Sequence, residues 1–160
     1  MKSLKSKKGR VLVAMSGGID SSMSLVALLN AGYEVVGVTL KLIEGSRCCD
    51  IEAQNHAKTV CKKYGVEHYT FDVSKNFEKK VIGYYLDELR AVRTPNPCVI
   101  CNRFLKFDEL FKIAKKLKCD YVATGHYARI NKNSKTGEYQ LLKGSDKTKD
   151  QTYYLSFLKR

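Results

Sequence analysis

Acidic side chains are scarce in this 160-residue sequence: 16 Asp and Glu stand against 29 Lys and Arg, leaving a formal net charge of +13. A surplus of that size on so small a body favours a polyanionic partner, nucleic acid first, although lysines that only keep a protein soluble give the same count. No apolar run is long enough to span a membrane. The basic stretch from Met1 to Arg10 is followed by no signal-length apolar segment, which argues against export and for a cytoplasmic protein. Six cysteines without a secretion signal then read as reduced thiols, metal ligands or redox groups, not as a disulfide framework. Internal repeats are absent, and so is low-complexity sequence beyond the basic leader at residues 1–10. One domain over residues 11–160 is the expected organisation.

Only two prolines occur, and both fall in Thr94-Pro95-Asn96-Pro97. Elsewhere the chain alternates freely between strand and helix signals. Val11 to Met15 is a β-branched apolar run ending at Ser16-Gly17-Gly18, and Ser21 to Ala31 has helical spacing. Val35 to Leu42 is a second apolar run, entered through Ala31-Gly32. Asp50 to Tyr64 reads as an amphipathic helix closed by Gly65, and His68 to Val73 as a third strand. Phe77 to Arg93 carries helical periodicity and stops before the proline loop, which is expected to stay extended. A further helix is expected over Asn102 to Leu117, then a short strand at Tyr121 to Ala123 and a hairpin or ordered excursion around Asn131 to Gly137. This pattern predicts an α/β fold with an open parallel sheet.

Ala14-Met15-Ser16-Gly17-Gly18-Ile19-Asp20-Ser21-Ser22 places two glycines and three hydroxyls between a buried strand and a helix start, where backbone amides and the helix dipole receive phosphate. It lacks the Gly-Lys-Ser/Thr of a Walker loop and the three spaced glycines of a dinucleotide site. An ordinary strand-to-helix turn with a Ser or Asp cap remains an alternative on these residues alone. The string Ser16 to Ser21 resembles the signature of the PP-loop ATP pyrophosphatases. That resemblance implies an adenine nucleotide alpha hydrolase-like sheet with helices on both faces, ATP as cofactor, and Mg2+ beside the departing pyrophosphate with Asp20 nearest to it.

Thr94-Pro95-Asn96-Pro97-Cys98-Val99-Ile100-Cys101-Asn102-Arg103 joins the proline loop to two cysteines and a helix expected to begin near Asn102. Cys101 at such a helix start, with Arg103 and Lys106 nearby, is expected to be an activated thiol. A structural or zinc Cys-x-x-C knuckle is the competing reading, weakened because no second pair occurs. This string, together with Lys106-Phe107, Ala123-Thr124-Gly125-His126-Tyr127-Ala128-Arg129 and Lys149-Asp150-Gln151-Thr152-Tyr153-Tyr154-Leu155, closely resembles the motifs of the tRNA-specific 2-thiouridylases, in the same order. The resemblance covers Val11 to Leu158. It implies that Ala14, Met15, Ser16, Gly17, Gly18, Ile19, Asp20 and Ser21 surround ATP, with Leu40 on the adenine and Gly125 closing the pocket. Cys101 is implied as nucleophile, Asn96, Pro97 and Cys98 as the target-base contact, and Lys149, Asp150 and Gln151 as tRNA contacts.

By the same resemblance ATP adenylates the C2 oxygen of the wobble uridine, pyrophosphate leaves, and sulfur delivered as a persulfide by a donor protein displaces AMP. The family carries that persulfide on a second cysteine downstream of the Lys-Asp-Gln motif. This sequence ends at Arg160, so a truncated catalytic domain is expected. Cys98 stands where some members have Asp, and with Cys48, Cys49 and Cys101 it could hold zinc or an iron-sulfur cluster. His126 is expected to be a hydrogen-bonded structural residue, Tyr153 and Tyr154 to be core, and Cys61 and Cys119 to be buried apolar residues. Two rivals stay open: another PP-loop tRNA-modifying enzyme, such as a lysidine synthetase or a cytidine thiolase, and a nucleotide- or RNA-binding module without turnover.

Overall fold

A computed structural model describes residues 8–43 and 51–158. Four parallel strands form the central sheet in the order β3-β2-β1-β4. They are β1 (Arg10–Ala14), β2 (Glu34–Lys41), β3 (Glu67–Asp72) and β4 (Tyr121–Ala123). The β1 and β2 positions are almost wholly apolar and buried, the composition of strands covered on both faces.

Alternation along the strands sorts the core into two layers. Val11 and Val13 of the first strand, with Met15 just beyond its end, pack with Leu25, Ala57 and Cys61 from α1 (Ile19–Asn30) and α2 (Ile51–Lys63). Leu12 and the β2 residues Val36, Val38 and Leu40 face the other way, onto Val81, Leu105, Leu110 and Ile113. Each such side chain, once fully buried, contributes about 1.5–3 kcal/mol. Helices therefore cover both faces, as expected, and Cys61 is fully buried. Cys119 is only half-buried, at the margin of the second layer.

That second layer is built from two interrupted helices. The first runs from α3 (Ser74–Phe77) through a π-helical turn at Glu78–Ile82 into α4 (Gly83–Arg90). The second runs from α5 (Pro97–Cys101) through a π-helical turn at Asn102–Lys106 into α6 (Phe107–Lys116). The two π turns face each other, and Lys80 Nζ donates 2.6 Å to the Phe104 carbonyl. A wide turn leaves carbonyls that the regular ladder would have satisfied, and Lys80 supplies a partner for one of them.

The second helix starts five residues earlier than the sequence suggests. Pro97 occupies its first position, where a missing N–H costs nothing, and the Asn96 side chain accepts from the Val99 amide at 3.3 Å as the cap. Cys101 is consequently the last residue of α5, not the residue at a helix start. Beyond β4, the expected hairpin forms from β5 (Arg129–Lys132) and β6 (Tyr139–Leu142), and α7 (Thr152–Leu155) follows.

The connection from β3 to β4 passes to the far side of β1. Strand order therefore reverses between β1 and its neighbours β2 and β4. In open α/β sheets the crevice at the carboxyl end of such a reversal is where ligands lodge.

Candidate nucleotide site at the first strand

β1 ends at Ala14, and Met15 continues its ladder by donating 2.8 Å to the Val38 carbonyl. Ser16 then begins the glycine loop. Ser21, almost fully buried, ties it shut: its hydroxyl donates 2.9 Å to the Gly18 carbonyl and lies 3.3 Å from both the Ser16 amide and the Ser16 hydroxyl. Gly18 is the N-cap of α1 and offers no side chain, so the helix start is not closed by a side-chain cap. Uncapped amides at a helix N-terminus accept an anion readily.

Two glycines are fixed by close approach. Gly17 adopts φ +81°, and a Cβ there would stand 2.2 Å from the Ala53 carbonyl oxygen of α2. Gly125, directly after β4, would place a Cβ 2.8 Å from the Ser21 amide nitrogen and 2.9 Å from the Asp20 carbonyl carbon. The strand-end loop Thr124 to Tyr127 thus rests directly on the start of α1.

Between these pieces lies a cavity of about 440 Å³. Ala14, Met15, Ser16, Gly18, Asp20 and Ser21 form its glycine-loop side, and Gly125 and Gln151 also line it. Leu40 lies on an apolar wall with Val38, Leu42, Phe107 and Leu110. Gly17 shapes the loop from beneath, and Ile19 points to solvent at 76 % exposure; neither lines the cavity. The wall residues Lys106, Phe107, Leu110, Val38 and Leu42 are absent from the sequence-based site. Lys106-Phe107 carried the available signal, as part of a motif, but only the π turn brings them to this wall.

His126 lines the cavity with its ring stacked on Phe107, centroids 5.9 Å apart, and its Nδ1 lies 2.8 Å from Thr124 Oγ1. Burial, with Lys106 nearby, lowers its pKa below the ordinary imidazole value. It is the hydrogen-bonded residue that was expected, and it presents a neutral ring to the cavity.

Tyr127 Oη donates 2.6 Å to Asp20 Oδ1, and this bond raises the phenol pKa and keeps it a donor. Its amide donates 2.9 Å to Gln151 Oε1, while the Gln151 amide donates 3.3 Å to the Tyr127 carbonyl. Asp150 folds the same segment, accepting from the Gly144 amide at 3.0 Å, from the Thr152 amide at 3.1 Å and from the Thr152 hydroxyl. The Gly144 bond leads in holding its carboxyl below the usual range. Lys149 lies 5.3 Å over the Tyr127 ring.

The cysteine segment adjoins this cavity without lining it. Cys101 is buried in the apolar cluster that also holds Leu40 and Leu42, whereas Cys98, in the first turn of α5, is exposed. Asn96 Nδ2 donates 3.1 Å to Tyr153 Oη, and Asn102 Nδ2 donates 3.3 Å to the Tyr154 carbonyl, so α7 spans from the cysteine helix to the cavity rim. Tyr153 and Tyr154 are exposed, at 63 % and 38 %, and are not core as expected. A four-residue helix at the surface has no second layer above it to bury them. Among the described residues no group of three His, Cys, Asp or Glu side chains converges as a metal site, and no helix is long and apolar enough to cross a membrane. Cys48 and Cys49 lie outside the described residues.

The family model of the tRNA methyl transferase HUP domain matches residues 9–160. The chain belongs to this family. Its relatives include the tRNA-specific 2-thiouridylase MnmA of Clostridioides difficile, 46 % identical over 154 residues, and that of Carboxydothermus hydrogenoformans, 48 % identical over 155. In both comparisons the alignment takes in 91 % of this chain and 42 % of the relative, so the chain spans about two fifths of the length of those proteins. Among solved structures, the U34-tRNA thiolase NcsA from Methanococcus maripaludis, described with its [4Fe-4S] cluster, superposes with a TM-score of 0.53 at 28 % identity, covering 75 % of this chain and 38 % of that one. NMN synthetase from Francisella tularensis, with a TM-score of 0.50 at 17 % identity over 72 % of this chain and 44 % of its own, shares the fold. The fold of this HUP domain is thus that of the PP-loop enzymes.

Proposed function

We propose that this chain is the nucleotide-activating domain of an ATP-dependent tRNA sulfurtransferase that makes 2-thiouridine at the wobble position. The observation that carries the reading is the junction of an uncapped glycine loop, an apolar wall and a cysteine helix at the carboxyl end of one parallel sheet. The 2-thiouridylase relatives, at 46 % and 48 % identity, support the choice of acceptor.

In this reading the amides and hydroxyls of Ser16 to Ser21 take the phosphates, and the adenine lies against Leu40, Val38, Leu42 and Phe107. The uridine C2 oxygen attacks the α-phosphorus and pyrophosphate leaves, giving an O-adenylated base. Amides preorganised at a helix start stabilise the charge that develops on the departing group. The oxygen donors Ser16, Ser21 and Asp20 around the cavity suit a hard divalent cation such as Mg2+, which would neutralise phosphate charge there. The terminal sulfur of a persulfide then attacks C2 and AMP leaves with the original oxygen. The Cys101 thiolate attacks the inner sulfur, which frees the 2-thiouridine and leaves a disulfide between Cys101 and the cysteine that carried the persulfide, to be reopened by an external thiol.

Cys101 is the nucleophile in this scheme, with Asn96, Pro97 and Cys98 receiving the base and Lys149, Asp150 and Gln151 contacting tRNA. Because Cys101 is buried in the apolar cluster and Asn96 is bonded to Tyr153, the base reaches the thiol only when the cysteine segment opens. The sulfur arrives as a persulfide from a donor protein, and the enzyme works in the cytoplasm. Among the described residues no third metal ligand stands beside Cys98 and Cys101, and the other two cysteines of the cluster expectation, Cys48 and Cys49, lie outside those residues.

The deciding measurement uses the full-length protein with ATP, a persulfide donor and an unmodified tRNA transcript. Pyrophosphate release that needs the transcript, and 2-thiouridine in the digested nucleosides, are the expected results. A Cys101→Ser variant should still release pyrophosphate and form no thiolated base. Modification of cytidine in place of uridine, or ATP binding without pyrophosphate release under any condition, would transfer the assignment to one of the two rivals.

A further inference from the structure

The Thr124 to Tyr127 loop touches both halves of the site, and Tyr127 is the side chain through which they meet. Its phenol donates to Asp20 at 2.6 Å, its backbone is paired both ways with Gln151, and its ring lies beneath Lys149 at 5.3 Å. Neither end of this chain is slack. Gly125 presses on the Ser21 amide, while Ser24 Oγ donates 2.9 Å to the Asp20 carbonyl and lies 3.5 Å from the Thr124 carbonyl. On the other side Asp150 holds residues 144 to 152 as a closed loop through bonds from Gly144 and Thr152. A shift of Lys149 is therefore delivered to the Tyr127 ring instead of being absorbed by loop motion.

We infer that Tyr127 is a positioning residue that aims the Asp20 carboxylate at the phosphate site and relays to it whether a polyanion occupies the Lys149–Gln151 segment. This rests on the reading of the cavity as an ATP site. Asp20 has two oxygens, and Tyr127 binds one of them, so the phenol fixes the carboxylate plane while leaving the other oxygen for a cation or water. A phosphate that draws the Lys149 ammonium away from the ring removes a cation–π attraction and changes how firmly the phenol is held. Because the ammonium stands beside the phenol that Asp20 accepts from, its departure also removes a positive charge from the neighbourhood of the carboxylate, which then holds a divalent cation more tightly when RNA is present.

The test measures ATP binding to the full-length protein by calorimetry across a Mg2+ series, with and without an unmodified tRNA transcript. In wild type the transcript should lower the Mg2+ midpoint severalfold. Tyr127→Phe should raise the midpoint about tenfold, the scale expected for one hydrogen bond to a charged group, and should abolish the response to transcript. ATP affinity without Mg2+ should not change, and the far-ultraviolet spectrum should match wild type. In an Asp20→Asn background Tyr127→Phe should have no further effect, because a residue acting through Asp20 cannot act without it. A wild-type midpoint that ignores the transcript, or a Tyr127→Phe midpoint that tracks wild type, overturns the relay and leaves the ATP assignment standing. Wild type that binds no ATP overturns both.

Discussion

Among the described residues, Gly17 carries the sharpest steric demand of any glycine. A methyl group there would overlap the Ala53 backbone, which belongs to a helix and cannot swing aside, and φ +81° adds strain for any L side chain. Gly17→Ala should therefore lower ATP affinity at least about 100-fold and cost about 1–3 kcal/mol of stability; calorimetry and urea unfolding would show both. The two cysteines of α5 make a different demand. Cys98 is exposed while Cys101 keeps only 6 % of its surface, so iodoacetamide should label Cys98 much faster in the free protein, with peptide mass spectrometry as the readout. Equal labelling rates would mean that the apolar cluster does not shield Cys101.

His68 and His126 set a pH response. Thr39 Oγ1 spends its proton on the Met15 carbonyl at 2.9 Å, so it accepts from His68 Nε2 at 2.9 Å, which fixes the neutral Nε2–H tautomer. Burial lowers the pKa of both histidines, with Lys58 and Lys106 adding to the effect. The unfolded chain then binds more protons than the folded one below about pH 6.5, so stability is full above that value and falls as the pH drops toward the lowered folded values. Carboxylates such as Asp150 act only below about pH 4. The urea midpoint should decline between pH 7 and 5, and His126→Gln should flatten part of that decline; a flat wild-type profile would contradict the neutral assignment.

At the level of elements, the end of α4 shows strain that can be relieved. Val92 sits at φ 56°, a left-handed conformation unfavourable for a β-branched residue, and its side chain is 94 % exposed. Val92→Gly should therefore raise stability by about 1 kcal/mol, seen as a higher thermal midpoint with unchanged ATP binding. How much of this architecture is legible in the sequence depends on range. The glycine loop, both flanking strands and the sheet's two-faced burial follow from patterns within a dozen residues, and the proline loop was visible as a boundary. The start of α5 is hidden because two nearby prolines read as breakers, whereas Asn96-Pro97 is also a cap followed by a first helical position. The cavity wall of Val38, Leu42, Lys106, Phe107 and Leu110 was not legible, because β2 and α6 meet there only through the long-range packing of two π turns. Tyr153 and Tyr154 were misread for the related reason that an apolar segment says nothing about whether a layer lies above it.

For the molecule as a whole, charge is the governing property. Lys41, Lys80, Arg90, Arg93, Arg103 and Lys112 each have an acidic partner within 4 Å, so part of the basic complement is spent within the fold. With 29 basic against 16 acidic residues, most of the +13 surplus must face outward. A polyanion that neutralises this surface releases condensed counterions, and each phosphate contact contributes about −0.9 to the slope of log affinity against log salt on a duplex and about −0.7 on a single strand. If tRNA is the partner, about six contacts would reduce affinity by about 10³-fold between 50 and 200 mM salt. Lys149 is the lysine whose position argues for direct contact, so Lys149→Ala should make that slope shallower by about one unit. The same substitution in an RNA-free assay, ATP affinity measured without Mg2+ or tRNA, should change little, because Lys149 does not line the cavity. Filter binding across a salt series separates the two. A tRNA affinity that hardly moves from 50 to 200 mM would assign the basic surplus to solubility, and the choice of nucleic acid as partner would then rest on the family alone.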